Sequence, residues 1–220
     1  LQHPEFLYRV EIGEPIAGMP GLYRLTSFET ATRLSYLLWG STPPDWLLDA
    51  AEAGELADDA RLAQVAETML ADPRAVDRIA RFHGMWLAYE GLGSSSSLTE
   101  AMQDETRKLL ERTLLEERRP WIDLLLAEET WVTPELATHY GLEVPSEPAW
   151  VPYADSGRRG ILSQATFLSA VSKFGDTSPT QRGLLIRTRL FCQTIPPPPA
   201  ALNLNGDEPP GGSDPNACKE

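Results

Sequence analysis

The sequence predicts an all-α fold, a multi-helix array that ends in a Pro-rich extended arm. Between residues 26 and 140, apolar side chains recur at helical spacing, and the stretch 58–71 follows the period of one buried stripe. Capping residues and helix-stopping glycines or prolines separate these stretches. Strand-like sequence is confined to the surroundings of Trp150 and Val151, where we expect a short strand or hairpin.

The ends of the helices are marked by particular residues. Thr26 and Glu29 fit a capping box, in which the hydroxyl and the carboxylate satisfy backbone N–H groups of the first turn. Gly40 and Gly54 predict helix ends, since glycine readily adopts the left-handed conformation found there. We expect helices over residues 27–39, 45–53, 58–71, 73–89, 99–117, 134–140, 160–172 and 179–191, with a short helix through Trp121 and Leu125.

The prolines and glycines also suggest a division of the chain. Prolines at 145, 148 and 152 interrupt the helical pattern and indicate a boundary. We therefore expect a helical domain over residues 1–142 and a smaller helical domain over 143–195 that packs on it. Residues 196–220 begin with four prolines and are rich in Gly, Pro, Asn and Asp, which is typical of an arm or linker.

The acidic composition excludes some classes of partner. The chain has 32 Asp and Glu against 19 Lys and Arg, a net charge of -13. Nucleic acids and anionic membrane surfaces bind clusters of Lys and Arg, so neither is expected as a partner. The sequence has no run of roughly 18 apolar residues that would cross a membrane. The acidity favours solubility, with docking to a basic partner as the alternative.

Few residues stand out as catalytic or as ligands. No histidine has a second one at i+3 or i+4, so no helical metal-binding pair is expected. His83 lies on an apolar helix face, where it would be either an axial haem ligand or, as we favour, a hydrogen-bonded core histidine. His139 is expected at a helix C-terminus, where a cation interacts favourably with the dipole. No nucleophile elbow and no phosphate-binding loop is present.

Arginines and tryptophans give two further hypotheses. Arg158, Arg159 and Arg182 are candidates for binding a carboxylate or phosphate through bidentate contacts, although pairing with acids of the chain is favoured. The six tryptophans are expected in cores and interfaces. If several were aligned on the outside, they would form a platform for sugars.

The two cysteines have two interpretations. A Cys192–Cys218 disulfide would hold the Pro-rich arm against the last helix and would stabilise the fold by about 3 kcal/mol. Alternatively, Cys218 is the first cysteine of a Cys-x-x-Cys-His haem-attachment motif whose remaining residues follow Glu220.

Six sequence segments together resemble a pair of bacterial domain-of-unknown-function families that occur in large exported c-type cytochrome-like proteins. The first family is represented by HPEFLYRVE, by the stretch from RLTSFETATRLSYLLWGS to GEL with LADPRA, and by WVTPELATHYGL; the second by RRGILSQATFLSAVS, TSPTQRG and IPPPPA. The resemblance implies an extracytoplasmic protein with flanking domains on both sides and a covalent haem c that follows the Pro-rich stretch. It implies no haem within these residues and no known activity.

The leading functional hypothesis is therefore a helical scaffold or docking module of such a protein, whose partners are its flanking domains and a redox partner. The alternatives are a module that binds polysaccharide or another surface polymer, suggested by the tryptophans, and a hydrolase built from scattered carboxylates with Arg158 or Arg159. Whether the chain is an enzyme does not follow from the sequence.

Overall fold

A computed structural model describes residues 2–4, 8–92, 96–172 and 178–196, and these residues form a mostly helical structure. The prediction of an all-α fold is confirmed: nine α-helices and two small antiparallel sheets make up the described part of the chain. The helices are α1 (Ser27–Leu38), α2 (Asp45–Glu52), α3 (Asp59–Leu70), α4 (Pro73–Trp86), α5 (Ser97–Leu110), α6 (Asp123–Leu126), α7 (Pro134–Tyr140), α8 (Ala165–Ala170) and α9 (Pro179–Leu185). The strands are β1 (Glu14–Pro15), β2 (Tyr23–Arg24), β3 (Glu129–Val132) and β4 (Ala149–Pro152).

Helices α1 to α4 pack around the first apolar cluster. The predicted capping box begins α1, because the Thr26 hydroxyl accepts from the backbone N–H of Glu29 while the Glu29 carboxylate accepts from that of Thr26. Trp39 follows α1, and its indole donates to the carbonyl of Met69 at 2.9 Å, which ties α1 to the end of α3. The buried members of this cluster are Ala31, Trp39, Leu47, Ala50, Ala51, Leu56, Val65, Met69 and Ala75.

Helix α5 is the central element of the remaining structure. Four of its six buried positions, Met102, Glu105, Thr106 and Leu109, lie on one face, and the helix contacts β3, α7 and α8. The predicted helix 99–117 is modified at its end, where Glu111–Glu116 form a π-helix. This wider helix is frequent at functional sites.

A two-stranded sheet joins parts of the chain on either side of residue 142. The expected strand near Trp150 is confirmed as β4, but its partner β3 was not predicted. The strands are antiparallel, with Trp131 opposite Trp150 and Thr130 opposite Val151. The apolar cluster around β3 contains Val132 and Leu136 together with Val151 and Ala165. The division at 142/143 stays a prediction, and the two sides share one sheet and one core.

The helix predicted over residues 160–172 is wrong in its first turn. A short 3₁₀ segment, Ile161–Ser163, precedes α8, and Gln164 between them has an extended backbone. The cause lies at Gly160, whose backbone amide donates to the carbonyl of Ala127 at 2.9 Å. Here the chain passes so close to α6 that a regular helix cannot begin.

The last helix continues from α9 into a second π-helix, Ile186–Leu190. Beyond it, the backbone amide of Gln193 donates to the carbonyl of Arg187 at 3.0 Å, and Cys192 has a φ of 51°. This left-handed position at a helix end is usually occupied by glycine. The predicted arm lies almost entirely outside the described residues, which end at Pro196.

Gly160 provides a test of the close contact between α6 and the chain that follows β4. A Cβ atom at Gly160 would lie 2.5 Å from the carbonyl oxygen of Leu124, and φ there is +59°. We expect Gly160→Ala to lower the free energy of unfolding by about 3 kcal/mol or more, since both overpacking and backbone strain contribute.

Gly157→Ala is the matched control for this measurement. Gly157 also has a positive φ, +74°, but a Cβ there meets no atom within 4 Å. Its cost should be about 1 kcal/mol, from the left-handed conformation alone. Urea unfolding of both variants measures the difference, and equal losses of stability would contradict the proposed close packing.

Candidate functional site

A completely buried carboxyl group occupies the centre of the junction between α5, β3 and α7. Glu105 has 0% exposed surface. Burial raises the pKa of this carboxyl group to about 7, and hydrogen bonds from Thr130 and Tyr140, together with the charge of Arg158, oppose the shift. Glu105 therefore changes its protonation state near neutral pH.

Two hydroxyl groups hold the carboxyl group in place. Thr130 donates to Oε1 of Glu105 at 2.5 Å, and Tyr140 donates to Oε2 at 2.6 Å. The Tyr140 hydroxyl also accepts from the backbone amide of Ala165 at 2.7 Å, at the start of α8. In this way Glu105 of α5 is connected by hydrogen bonds to β3 and α7, and through Tyr140 to the start of α8.

Further polar groups around Glu105 have no well-formed hydrogen bond. The Tyr153 hydroxyl and both amide atoms of Gln164 are buried without a partner of good geometry, although the Tyr153 hydroxyl is near Thr130, Ser163 and Gln164. Burial raises the pKa of Tyr153 to about 12. We refer to Glu105, Thr130, Tyr140, Tyr153 and Gln164 as the Glu105 cluster. The unpaired groups give this cluster capacity for more hydrogen bonds than it makes.

The candidate anion-binding arginines lie in different surroundings. The Arg158 guanidinium lies 3.9 Å from the ring centre of Tyr140, and its Nη1 donates to the carbonyl of Ser163. Arg159 pairs with Glu128 at 2.7 Å, as the favoured interpretation predicts. Arg182 lies in the last turn of α9, and no acid of the described residues pairs with it. Anion binding by these residues stays a prediction.

Two adjoining concave surfaces lie beside the Glu105 cluster. A groove of about 540 Å³ is lined by residues of the first π-helix, by Trp150 and by charged side chains that include Arg112, Arg119 and Arg159. A pocket of about 390 Å³ shares Glu128, Pro152 and Arg159 with this groove and reaches Tyr153 and Arg158.

The charges of the larger groove neutralise one another. Arg112 pairs with both Glu117 and Glu129, and its guanidinium lies 4.4 Å from the centre of the Trp150 ring. Arg119 pairs with Glu117 and Asp123. These exposed pairs each contribute little stability. The groove has no single sign of charge, so its shape and its aromatic wall would dominate any binding.

The geometry limits the chemistry available to Glu105. Both of its oxygens accept hydrogen bonds and none of its surface is exposed, so no substrate atom reaches it in this conformation. A raised pKa is common to catalytic acids and to buried structural carboxyl groups. The hydrolase hypothesis thus gains a carboxyl group of suitable pKa but no accessible one.

Within the described ranges, no group of three or more His, Cys, Asp or Glu is arranged to hold a metal ion.

The interpretation of His83 as a core histidine agrees with its contacts. His83 is 3% exposed; its Nδ1 lies 2.8 Å from the carbonyl of Ile79, and its Nε2 accepts from the indole of Trp121 at 3.0 Å. These contacts fit a neutral ring protonated at Nδ1, and burial lowers the pKa of His83. Because both nitrogens are occupied, an iron atom would have to displace Trp121. His139 lies in the last turn of α7, as expected.

The six tryptophans form three contacting pairs. Trp39 contacts Trp46, Trp86 contacts Trp121, and Trp131 contacts Trp150, with ring centres 5.3 to 6.2 Å apart. Trp46 is the most exposed of them, at 41%. These contacts agree with the expected role of the tryptophans in packing. No row of exposed indoles forms among them, and sugar binding stays a hypothesis.

The cysteine hypotheses remain as the sequence left them. Cys192 is exposed, and it is a free thiol within the part of the chain that the structure covers. Cys218 lies outside the described residues. Neither the disulfide nor the haem attachment is therefore decided by these contacts.

Fold and site together define a mostly helical domain whose two segments share a sheet, a core and the Glu105 cluster. The chain belongs to the PSD4 family, proteins of unknown function (DUF1592), which matches residues 25–142. Residues 158–216 match the PSCyt3 family, also of unknown function (DUF1588). The expected pair of families, associated with cytochrome-like proteins, is thus confirmed. No curated protein and no solved structure matches the chain.

The matches place the Glu105 cluster between the two families. Glu105, Thr130 and Tyr140 fall within the first match, and Gln164 falls within the second. None of these residues was predicted as a site from the sequence. A usable pattern was present at Glu105, which lies between Met102 and Leu109 on the apolar stripe of α5, where an acid is unusual. Thr130 and Gln164 carried no comparable pattern.

The raised pKa of Glu105 predicts a specific pH dependence of stability. The folded pKa of about 7 exceeds the ordinary value of 4.5, so the folded state binds the proton more tightly than the unfolded state. The contribution of Glu105 is full below pH 4.5 and is lost as the pH rises to about 7, a change of roughly 3 kcal/mol. Glu105→Gln, which stays neutral, should not show this loss.

The measurement is urea unfolding of wild type and Glu105→Gln at several pH values between 4.5 and 8. The stability of the variant relative to wild type should rise by roughly 3 kcal/mol over this interval. Glu147→Gln, an exposed acid in the loop before β4, serves as control and should show no such trend. A difference between Glu105→Gln and wild type that does not change with pH would show that Glu105 titrates normally.

Proposed function

We propose that the chain is a helical scaffold and docking module of an exported c-type cytochrome-like protein. In this role the PSD4 segment forms a rigid base, and the PSCyt3 segment is fixed on it so that the chain after Pro196 leaves from a defined place. The observation that carries the proposal is the set of buried hydrogen bonds between the two segments. Tyr140 accepts from the amide of Ala165, and the hydroxyls of Thr106 and Thr166 lie 2.7 Å apart.

Rigidity matters in such a role, because electron transfer and docking both depend on a fixed position of the redox group relative to its partner. The connection between the segments is also held closely: β4, which lies between the two family matches, pairs with β3, and Gly160 of the PSCyt3 segment lies against the carbonyl groups of α6. Buried hydrogen bonds and close backbone contacts of this kind oppose independent motion of the two segments.

The described residues do not themselves fit a haem site. His83, the only buried histidine among them, has both ring nitrogens occupied, by Ile79 and Trp121. The proposal therefore assigns covalent haem to the chain around and beyond Cys218, and the helical domain supplies position and contact surface. An extracytoplasmic location belongs to the same proposal and rests on the kinship with cytochrome-like proteins. No helix within the described ranges is long and apolar enough to cross a membrane.

The test uses the complete natural protein produced in its own host, with Cys218→Ser and Cys192→Ser compared against wild type. If Cys218 forms a thioether bond to haem, Cys218→Ser reduces two such bonds to one and shifts the haemochrome absorption band in pyridine. Cys192→Ser should leave this band unchanged, because Cys192 is followed by Gln193, Thr194 and Ile195 and so begins no Cys-x-x-Cys-His motif.

Two results would contradict the proposal. The first is a wild-type protein without a Soret band. The second is a mass two hydrogens below that of the reduced chain, lost equally in Cys192→Ser and Cys218→Ser, which would indicate the disulfide. That outcome would favour a colourless binding module.

A further inference from the structure

The last helix carries three arginines that have no carboxylate partner among the described residues. Most arginines elsewhere in the described residues have a carboxylate within 4.0 Å, as Arg74 has Asp72 and Arg118 has Glu67. Arg182, Arg187 and Arg189 have none within the described ranges, and Arg187 donates instead to the side-chain oxygen of Gln193. Unpaired arginines concentrated on one helix are unexpected in a chain with a net charge of -13. They form a local basic surface.

A partly exposed aromatic surface adjoins this helix. Phe82 stacks on Trp86 with ring centres 5.8 Å apart, and Trp86 contacts Trp121 at 5.3 Å. Phe82 is 52% exposed although it is large and apolar, and Met85 and Ile122 beside these rings are 43% and 53% exposed. We call these five residues the aromatic face.

The aromatic face and the basic helix are directly connected. The indole of Trp86 donates to the backbone carbonyl of Arg189 at 3.1 Å. The chain then turns at Cys192 and leaves the described residues at Pro196, a few residues beyond that contact. Pro196 lies seven residues after Arg189, so the segment that follows it begins shortly beyond the contact that joins both surfaces.

The composition of residues 197–220 complements both surfaces. The segment begins with three prolines that continue the run from Pro196, and Leu202 and Leu204 follow. It then carries Asp207, Glu208, Asp214 and Glu220 against a single Lys219. The PSCyt3 match extends to residue 216, so most of the segment belongs to the same family domain as α9.

We propose that residues 197–220 form an arm that folds back on the aromatic face and on the arginines of the last helix. Proline-rich segments in the extended polyproline II conformation bind surfaces of exposed aromatic rings, and carboxylates bind arginine through charge-assisted hydrogen bonds. Four consecutive prolines extend over about 12 Å in that conformation. In the aromatic face, the ring centres of Phe82 and Trp86 are 5.8 Å apart and those of Trp86 and Trp121 are 5.3 Å apart, so such a segment can contact more than one ring.

The inference deepens the proposed function, because an arm bound in this way would hold Cys218 close to the helical domain. It is nevertheless independent of haem. The arm contacts require only residues of this chain, whereas the test of the proposed function depends on covalent attachment to Cys218. Each proposal can therefore fail while the other holds.

The experiment measures the distance between the two native cysteines in the full chain. In the 220-residue chain, produced without haem attachment, Cys192 and Cys218 are reduced and labelled with nitroxides, and pulsed electron paramagnetic resonance gives the distribution of their separation. An unattached chain of this length would give a broad distribution around roughly 28 Å. The bound arm should give a narrow one. The labelled protein is diluted with unlabelled protein, so that the measured pairs of nitroxides lie within one molecule.

Variants on the two surfaces identify the binding site. The first is the double variant Arg187→Glu, Arg189→Glu, in which both exposed arginines of the second π-helix are replaced. The new negative charges should repel the acidic arm and make the distribution of separations broad. Phe82→Ser should broaden it through loss of the aromatic contact. The control is Arg24→Glu, an exposed arginine of β2 that likewise lacks an acid partner within the described residues, and this variant should keep the narrow distribution. Circular dichroism establishes that each variant is folded.

Three outcomes would overturn the inference. A wild-type distribution as broad as that of the double arginine variant would show a free linker. A narrow distribution that neither surface variant changes would place the arm elsewhere. A separation that disappears on dilution with unlabelled protein would show that a second copy of the chain, and not its own arm, covers the aromatic face.

Discussion

The burial of Glu105 is the constraint on which the arrangement of the second half of the structure depends. Removing a carboxyl group from water is costly, and the cost falls only when donors from the protein replace the lost hydration. Here the donors come from β3 and α7, and the second of them, Tyr140, also accepts from the start of α8. The Glu105 carboxyl group of α5 therefore connects β3, α7 and α8, which are distant from α5 in sequence.

Close backbone contact completes what these hydrogen bonds begin. Gly160 passes against the carbonyl groups of α6, and the amide of Tyr153 donates to the carbonyl of Glu128, so the chain after β4 lies directly on the preceding elements. Side chains then cover the sheet from outside, with Arg112 over Trp150. The segments that match two separate families thus share one interior, which is what a scaffold with a fixed geometry requires.

The distribution of charge suggests how this interior relates to the surface. Most arginines of the described residues are neutralised locally, in the groove beside Trp150 as elsewhere, and such exposed pairs add little stability. The last helix differs because its arginines have no acid partner within the described ranges, and it contacts a partly exposed aromatic surface. Unsatisfied charge and exposed apolar surface at the same place indicate contact with further chain, and the acidic, proline-rich sequence that follows has the matching chemistry.

The sequence by itself determined the fold class, most helix positions, the capping of α1, the strand near Trp150 and the core role of His83, because these features depend on local spacing and on nearby residues. The resemblance of its motifs also identified both families. Only the tertiary structure decided the pairing of β3 with β4, the broken helix at Gly160 and the Glu105 cluster. Each of these depends on residues that are far apart in sequence, and Glu105 acquires its raised pKa only when α5, β3 and α7 together exclude water from it.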